Sequence, residues 1–245
     1  HIMGILNATP DSFFAGSRLH GDAVERAKKM LADGAEVIDV GGQSTRPGSK
    51  PVSAIEELAR VLPVVEAIRR EFKDALISVD TFYPEVAQAV IEAGADLIND
   101  VSCLEYDELA KVIAKGGASV CVMHNRRQTS VPDMFLDKEL GLSAAVKKLL
   151  DAGVPKNKIL LDGGIGFNKS KDEDWALLDG YGKLADYFEE YPFLLGTSRK
   201  SMFGGEPETR LSATLDSTAL AVKQGILFVR VHDVKENKAV ITALQ

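Results

Sequence analysis

Asp80, Asn99 and Asp162 each stand where a short apolar, strand-like run stops: Leu76–Val79, Leu97–Ile98 and Ile159–Leu161. Lys200 closes Thr197-Ser198-Arg199-Lys200 after a fourth run, Phe193–Gly196. Two carboxylates, an amide and an amine at one end of a fold make a polar floor for a flat nitrogen heterocycle. A carboxylate accepts two parallel hydrogen bonds from an amino group and the adjacent ring N–H, and an amide offers that ring both a donor and an acceptor. Any one carboxylate here could instead cap a backbone N–H. Three such strand ends with a lysine beside them favour a ligand.

A second group suits an anion. Arg230-Val231-His232 follows the run Leu227–Val229, and alternation along an extended chain sends Arg230 and His232 to one side with Val231 opposite. The helix expected after Asp233 or Val234 would add backbone donors. Arg230, flanked by two valines, does not read as a solvated surface charge, whereas Arg199 does. Asn7 ends the first run, Ile2–Leu6. It is either a turn residue or one oxygen donor to a Mg²⁺ bound mostly by water and phosphate. Gly41-Gly42-Gln43-Ser44-Thr45-Arg46-Pro47-Gly48 is either a plain loop or a segment whose glycines let Thr45 and Arg46 approach a ligand. Asp39 and His124 end two further runs without an assignable role, His124 being as readily a core histidine. Trp175 reads as packing.

These residues need a scaffold that gathers eight strand ends. Between the runs lie helix-like stretches: Gly21–Asp33, Ser53 to about Phe72, Pro84–Ala93, Glu105–Lys115, about Leu136–Ala152, Asp172–Tyr187, Thr209–Gln224 and Lys235–Leu244. Ser53 with Glu56 is a capping-box pattern, and Pro84 fits a first helical turn. Eight strand–helix alternations imply a parallel sheet with right-handed crossovers. The expected fold class is therefore α/β, a single (β/α)8 barrel over residues 1–245 with its site at the C-terminal ends of the strands. Loops after the seventh and eighth strands are the usual phosphate site of that fold. An open doubly wound sheet is the runner-up, weakened because no Gly-x-Gly-x-x-Gly follows the first strand. The long loops, Asn7–His20, Gly41–Val52, Asn125–Phe135, Gly163–Lys171 and Thr197–Glu208, fall on one face, as covers for a substrate would.

Composition narrows the function. A net charge of −7 disfavours nucleic acid and anionic membranes as partners. No apolar stretch approaches the roughly 20 residues of a membrane span. Cys103 and Cys121 lack metal-ligand spacing and read as small buried hydrophobes in a reducing, cytoplasmic setting. The chain begins inside an apolar run at His1-Ile2-Met3, so a preceding segment is expected.

Seven motifs in order then resemble the dihydropteroate synthases of the folate pathway. They are Gly4–Phe13, Ile38–Gly48, Ile77–Thr81, Ile98–Asp100, Leu161–Phe167, Gly196–Ser201 and Arg230–Val234. The resemblance runs from residue 2 to the end. It implies a barrel, commonly a homodimer through helices of the C-terminal half. The implied transferase joins p-aminobenzoate to (7,8-dihydropterin-6-yl)methyl diphosphate, with sulfonamides competing for the aminobenzoate side. By resemblance Asp80, Asn99, Asp162 and Lys200 bind the pterin, with Thr45 beside them. Arg230 stacks on the pterin and contacts diphosphate. Asn7, Arg230 and His232 hold diphosphate and Mg²⁺. Phe13, Thr45, Arg46, Pro47, Phe167 and Ser198 shape the aminobenzoate side, and Lys200, Asp80 and Arg230 carry the chemistry. Gln43 stands where the family usually has Glu, Ala15 where Asp is common, and Gly163 where Pro is common; the segment Met202–Arg210 is short. A pterin-binding protein without turnover and a pterin-dependent methyltransferase are the competing readings. The second is disfavoured because methyl transfer has no diphosphate for Thr197–Ser201 and Arg230–Asp233 to hold.

Overall fold

In the computed structural model, which describes residues 1–8, 18–43, 52–125 and 141–245, eight short strands pair in parallel and in sequence order. They are β1 (Ile2–Asn7), β2 (Val37–Gly41), β3 (Leu76–Asp80), β4 (Leu97–Asp100), β5 (Ser119–Met123), β6 (Ile159–Asp162), β7 (Phe193–Leu195) and β8 (Phe228–Val231). β8 returns to β1, with Val229 opposite Ile2 and Arg230 opposite Met3, and the sheet closes into the expected barrel.

The two-residue period of a strand divides each one between two environments. Residues such as Ile38, Val40, Ile77, Val79, Ile98, Val120, Val122, Leu161 and Val231 point outward into the main core. The inward set is smaller: Met3, Val37, Cys121, Leu160 and Leu194 pack together, with Leu97 and Phe228 partly buried against them. This apolar plug fills the barrel. Two residues further along the same inward face stand Asp39 after Val37, Asn99 after Leu97, Asp162 after Leu160 and Arg230 after Phe228. The polar floor is therefore the layer directly above the plug.

Around the barrel lie α1 (Arg18–Ala32), α2 (Ala54–Glu71), α3 (Pro84–Glu92), α4 (Asp107–Gly116), α5 (Leu142–Asp151), α6 (Lys171–Asp179), α7 (Tyr181–Tyr187), α8 (Leu211–Lys223) and α9 (Val234–Leu244). Their ends follow local chemistry. Ser53 accepts the Glu56 N–H at 3.2 Å, while Glu56 itself pairs with Arg60, so half of the expected capping box forms. The complete box is at α6, between Ser170 and Glu173. Pro84 starts α3, and Gly117, at φ 69°, ends α4.

Three expectations are corrected. Asp172–Tyr187 is two helices, α6 and α7, divided at Gly180. β2 does not stop at Asp39 but runs on to Gly41, and β8 includes Arg230 rather than ending before it. Most of the long loops after β1, β2 and β5 fall within residues 9–17, 44–51 and 126–140, outside the described residues.

Candidate active site

Arg230 is the hub of the barrel mouth. Its Nε donates to Asp39 Oδ2 at 2.6 Å and its Nη2 to Asp80 Oδ2 at 2.9 Å. Asp39, fully buried, also accepts from Ser78 Oγ at 2.5 Å and from Asn99 Nδ2 at 3.4 Å. The sequence left Asp39 without a role; the structure makes it the counter-ion that aims Arg230. Both ion-pair bonds use the edge of the guanidinium and leave its flat face open to stacking. Burial pushes the Asp80 carboxyl up to about 7, against the Arg230 charge and with the help of neighbouring Asp39. The two carboxylates hold Arg230 firmly in its charged form.

Across the mouth, Asp162 Oδ1 accepts from the Gly164 N–H at 2.7 Å and lies 3.0 Å from the Tyr181 hydroxyl. That hydroxyl also accepts from the Gly163 N–H at 2.7 Å and lies 2.7 Å from the Leu194 carbonyl. Gly163 makes room for this tyrosine, since a Cβ would come within 2.8 Å of Tyr181 Cε2 and the ring would have to shift. Gly164, at φ 71°, is tighter still: a Cβ would sit 1.9 Å from the His124 carbonyl oxygen. His124 is buried, and its own N–H donates to the Asp162 carbonyl.

The Lys200 amine donates to the Ile165 carbonyl and lies 4.7 Å from the centre of the Phe167 ring. Burial lowers its pKa to about 8, with Asp162 opposing and Arg230 assisting. Asp80, Asn99, Asp162, Lys200 and Arg230 are thus brought together. Asp100 is not part of the floor. It accepts from the Ser102 N–H and hydroxyl and from the Leu104 N–H, capping a turn in which Cys103 and Leu104 have positive φ.

The loops after β7 and β8 are tied side by side. Ser198 Oγ lies 2.9 Å from His232 Nδ1 and accepts the His232 N–H at 3.1 Å. Arg199, expected as surface charge, instead makes a two-pronged pair with Asp233 at 2.9 and 2.5 Å. Its backbone is held from both sides: its N–H donates to Thr214 Oγ1, and its carbonyl accepts from Arg210. Ser198 and His232 border the mouth together.

At the root of the second loop, Gly42 packs so closely on α2 that a Cβ would meet Val61 at 2.7 Å and Glu57 Cγ at 2.9 Å. Glu57 is wholly buried and accepts from the Thr81 hydroxyl. Burial pushes its carboxyl up to about 7, opposed by Thr81 and by Gln43, the residue that departs from the family. Asn7 ends β1, partly exposed, opposite Gly41 of β2. Among the described residues no group of three or more His, Cys, Asp or Glu side chains could hold a metal ion. Phe13, Ala15, Thr45, Arg46 and Pro47 lie outside the described residues. Sequence reasoning missed Tyr181 and Glu57 altogether, and the parity that puts Asp39 two residues beyond Val37 was the one signal for its role.

A family model described as pterin binding enzyme matches residues 3–232. A dihydropteroate synthase of Clostridium beijerinckii is 43% identical over 245 residues, 97% of this chain and 90% of that relative. One of Streptococcus pyogenes is 42% identical, over 99% of this chain and 94% of its own. Among solved structures, the Clostridium difficile dihydropteroate synthase crystallised in the presence of pteroic acid superposes with a TM-score of 0.93 at 40% identity, covering 100% of this chain and 95% of that one. The Yersinia pestis dihydropteroate synthase in complex with a sulfonamide drug gives 0.89 at 39% identity, covering 99% and 92%. With a pterin-family match across nearly all its length and relatives above 40% identity end to end, the chain belongs to the pterin binding enzymes, among the dihydropteroate synthases.

Proposed function

We propose that this site condenses (7,8-dihydropterin-6-yl)methyl diphosphate with p-aminobenzoate, giving 7,8-dihydropteroate and pyrophosphate. The observation that carries the assignment of roles is the layer of Asp80, Asn99, Asp162, Lys200 and Arg230 above the apolar plug. It offers acceptors and donors to one flat ring and a cationic face at its edge. Asp162 accepts from the pterin amino group and ring N–H, Asn99 and Asp80 bond its other edge, and Lys200 donates to its carbonyl. Arg230, held by its edge, stacks its face on the ring and turns Nη1 toward the diphosphate, where His232 also reaches.

The bond between the pterin methylene and the diphosphate oxygen breaks, the pyrophosphate keeps the electron pair, and the pterin cation is attacked by the aryl amine nitrogen, which then loses a proton. No protein nucleophile is required. In their charged forms the Asp80 and Asp162 carboxylates favour the cation, while Arg230 and Lys200 favour the departing anion. Phe167 and Ser198, with Phe13, Thr45, Arg46 and Pro47, border the amine. Asn7, at the end of β1, would be one protein oxygen donor to a Mg²⁺ held otherwise by water and the diphosphate. That ion would neutralise charge on the leaving group. We take residues 1–245 as one domain. Two free thiols support a cytoplasmic setting, and the exposed Trp175 and Tyr187 on α6 and α7 suit a homodimer face on the C-terminal half.

The test is pyrophosphate release by the purified protein. It should require the pterin diphosphate, p-aminobenzoate and Mg²⁺ together. A folded protein that binds the pterin diphosphate without consuming p-aminobenzoate would overturn the assignment and leave a pterin-binding protein.

A further inference from the structure

The phenol of Tyr181 touches no substrate in the reading above, yet it lies directly behind the residue that reading puts on the pterin. Tyr181 is fully buried, with its ring edge-on to Phe193 at 5.9 Å and 90°. Its hydroxyl meets three groups from three segments: the Gly163 N–H after β6, Asp162 Oδ1 at the end of β6 and the Leu194 carbonyl in β7. A phenol carries one proton and can accept two. Gly163 donates to it, so the single phenolic proton is left for two acceptors, the Leu194 carbonyl and the Asp162 carboxylate. While Asp162 is ionised, a proton directed at Oδ1 makes the stronger, charge-assisted bond.

The consequence falls on the other oxygen. Oδ1 is held by Tyr181 and by the Gly164 N–H, whereas Oδ2 faces the barrel mouth, 3.7 Å from where a Cβ on Gly196 would stand. Two donors on one oxygen fix the plane of the carboxylate. A ring that offers an amino group and a neighbouring N–H needs that plane set before it arrives. We propose that Tyr181 is a positioning residue for pterin recognition, its hydroxyl locking the Asp162 carboxylate in the plane of the incoming ring. The proposal rests on the assignment of Asp162 to the pterin.

A double-mutant cycle on binding of (7,8-dihydropterin-6-yl)methyl diphosphate, measured by calorimetry without p-aminobenzoate, tests it. Tyr181→Phe keeps the ring and removes only the hydroxyl; it should weaken pterin binding about tenfold, the worth of one charge-assisted bond. In steady state the loss should fall on KM for the pterin substrate, with KM for p-aminobenzoate unchanged. In an Asp162→Asn background Tyr181→Phe should weaken binding less than about twofold, because the carboxylate through which it acts is gone. Equal losses for both substrates, or the full tenfold loss surviving in the Asp162→Asn background, would mean that Tyr181 merely holds the fold and would overturn the proposal. So would unaltered pterin affinity in Tyr181→Phe when Asp162→Asn alone weakens it. If Asp162→Asn itself leaves pterin affinity unchanged, the assignment of Asp162 fails first, and this proposal with it.

Discussion

Replacing Asp39 by asparagine isolates the charge that aims Arg230. Asparagine has nearly the same shape and can still meet Ser78 and Asn99, so the change removes a charge more than a contact. In the parent, Arg230 donates to Asp39 at 2.6 Å and to Asp80 at 2.9 Å, with Asp39 fully buried. Breaking a buried pair outright costs about 3–5 kcal/mol because an uncompensated charge is left behind. Here Asp80 still answers Arg230, so the loss should be nearer that of one charge-assisted bond, roughly 2–3 kcal/mol. For a chain of this size each kcal/mol moves the melting point by about 2–4 °C, giving a fall of roughly 4–12 °C. A second readout separates electrostatics from packing. Burial chiefly, with Asp39 adding, raises the Asp80 carboxyl from 3.8 to about 7. Between those values the native state keeps a proton that the unfolded chain has lost, so this contribution to stability falls as pH rises through the window. Without the Asp39 charge the upper edge of the window, and with it the acid limb of kcat/KM for the pterin substrate, should move to lower pH. The assays are thermal melts followed by circular dichroism and pH–rate profiles of the purified variant. A melting point within about 1 °C of the parent, or an acid limb that moves up, would refute the reasoning.

Further outcomes are expected at three other residues. Lys200 is pushed down to about 8 by burial, so kcat/KM for the pterin substrate should fall as pH rises through about 8. Lys200→Ala should remove that limb and lower kcat/KM by at least about 2 kcal/mol in transition-state terms, read from initial rates; near-parental kinetics would contradict the assignment. Because the native state sheds this proton before the unfolded chain, the Lys200 contribution to stability rises with pH between about 8 and 10.5, which urea titrations across that range would show. Gly164→Ala combines a left-handed backbone with a Cβ driven into the His124 carbonyl and should destabilise by more than about 3 kcal/mol, seen as lost soluble yield or a collapsed urea midpoint. Arg199→Ala removes the two-pronged bond to Asp233 and, being partly exposed, should cost only about 1 kcal/mol in a urea titration.

The barrel was legible because each strand is a short apolar run with a polar stop, and because eight such runs alternate with helical periods. The floor was legible for the same reason. Asp80, Asn99 and Asp162 stand at stops, and inside a closed barrel all stops of one parity meet. What stayed hidden was pairing at long range. Asp39 and Arg230 are 191 positions apart, and β2 continues past Asp39, which made its polar residue look like an end rather than an inward layer. Arg199 looked like surface because its partner Asp233 belongs to another loop. Tyr181 was absorbed into an assumed continuous helix; only Gly180 hinted that the chain turns there and swings the phenol beneath Asp162. Helical spacing reports that a residue is buried, not which carboxylate lies over it.

Cys121 offers a way to watch this barrel breathe. It belongs to the apolar plug, one layer beneath the site, and burial together with the negative charges of Asp162 and Asp39 keeps it a thiol rather than a thiolate. Since only the thiolate reacts with alkylating agents, labelling must await molecules whose barrel has opened. The half-life of this one sulfur therefore times the opening of the whole strand cylinder, and any ligand that bridges Asp162 and Arg230 should lengthen it in proportion to how tightly it seals the lid of the plug.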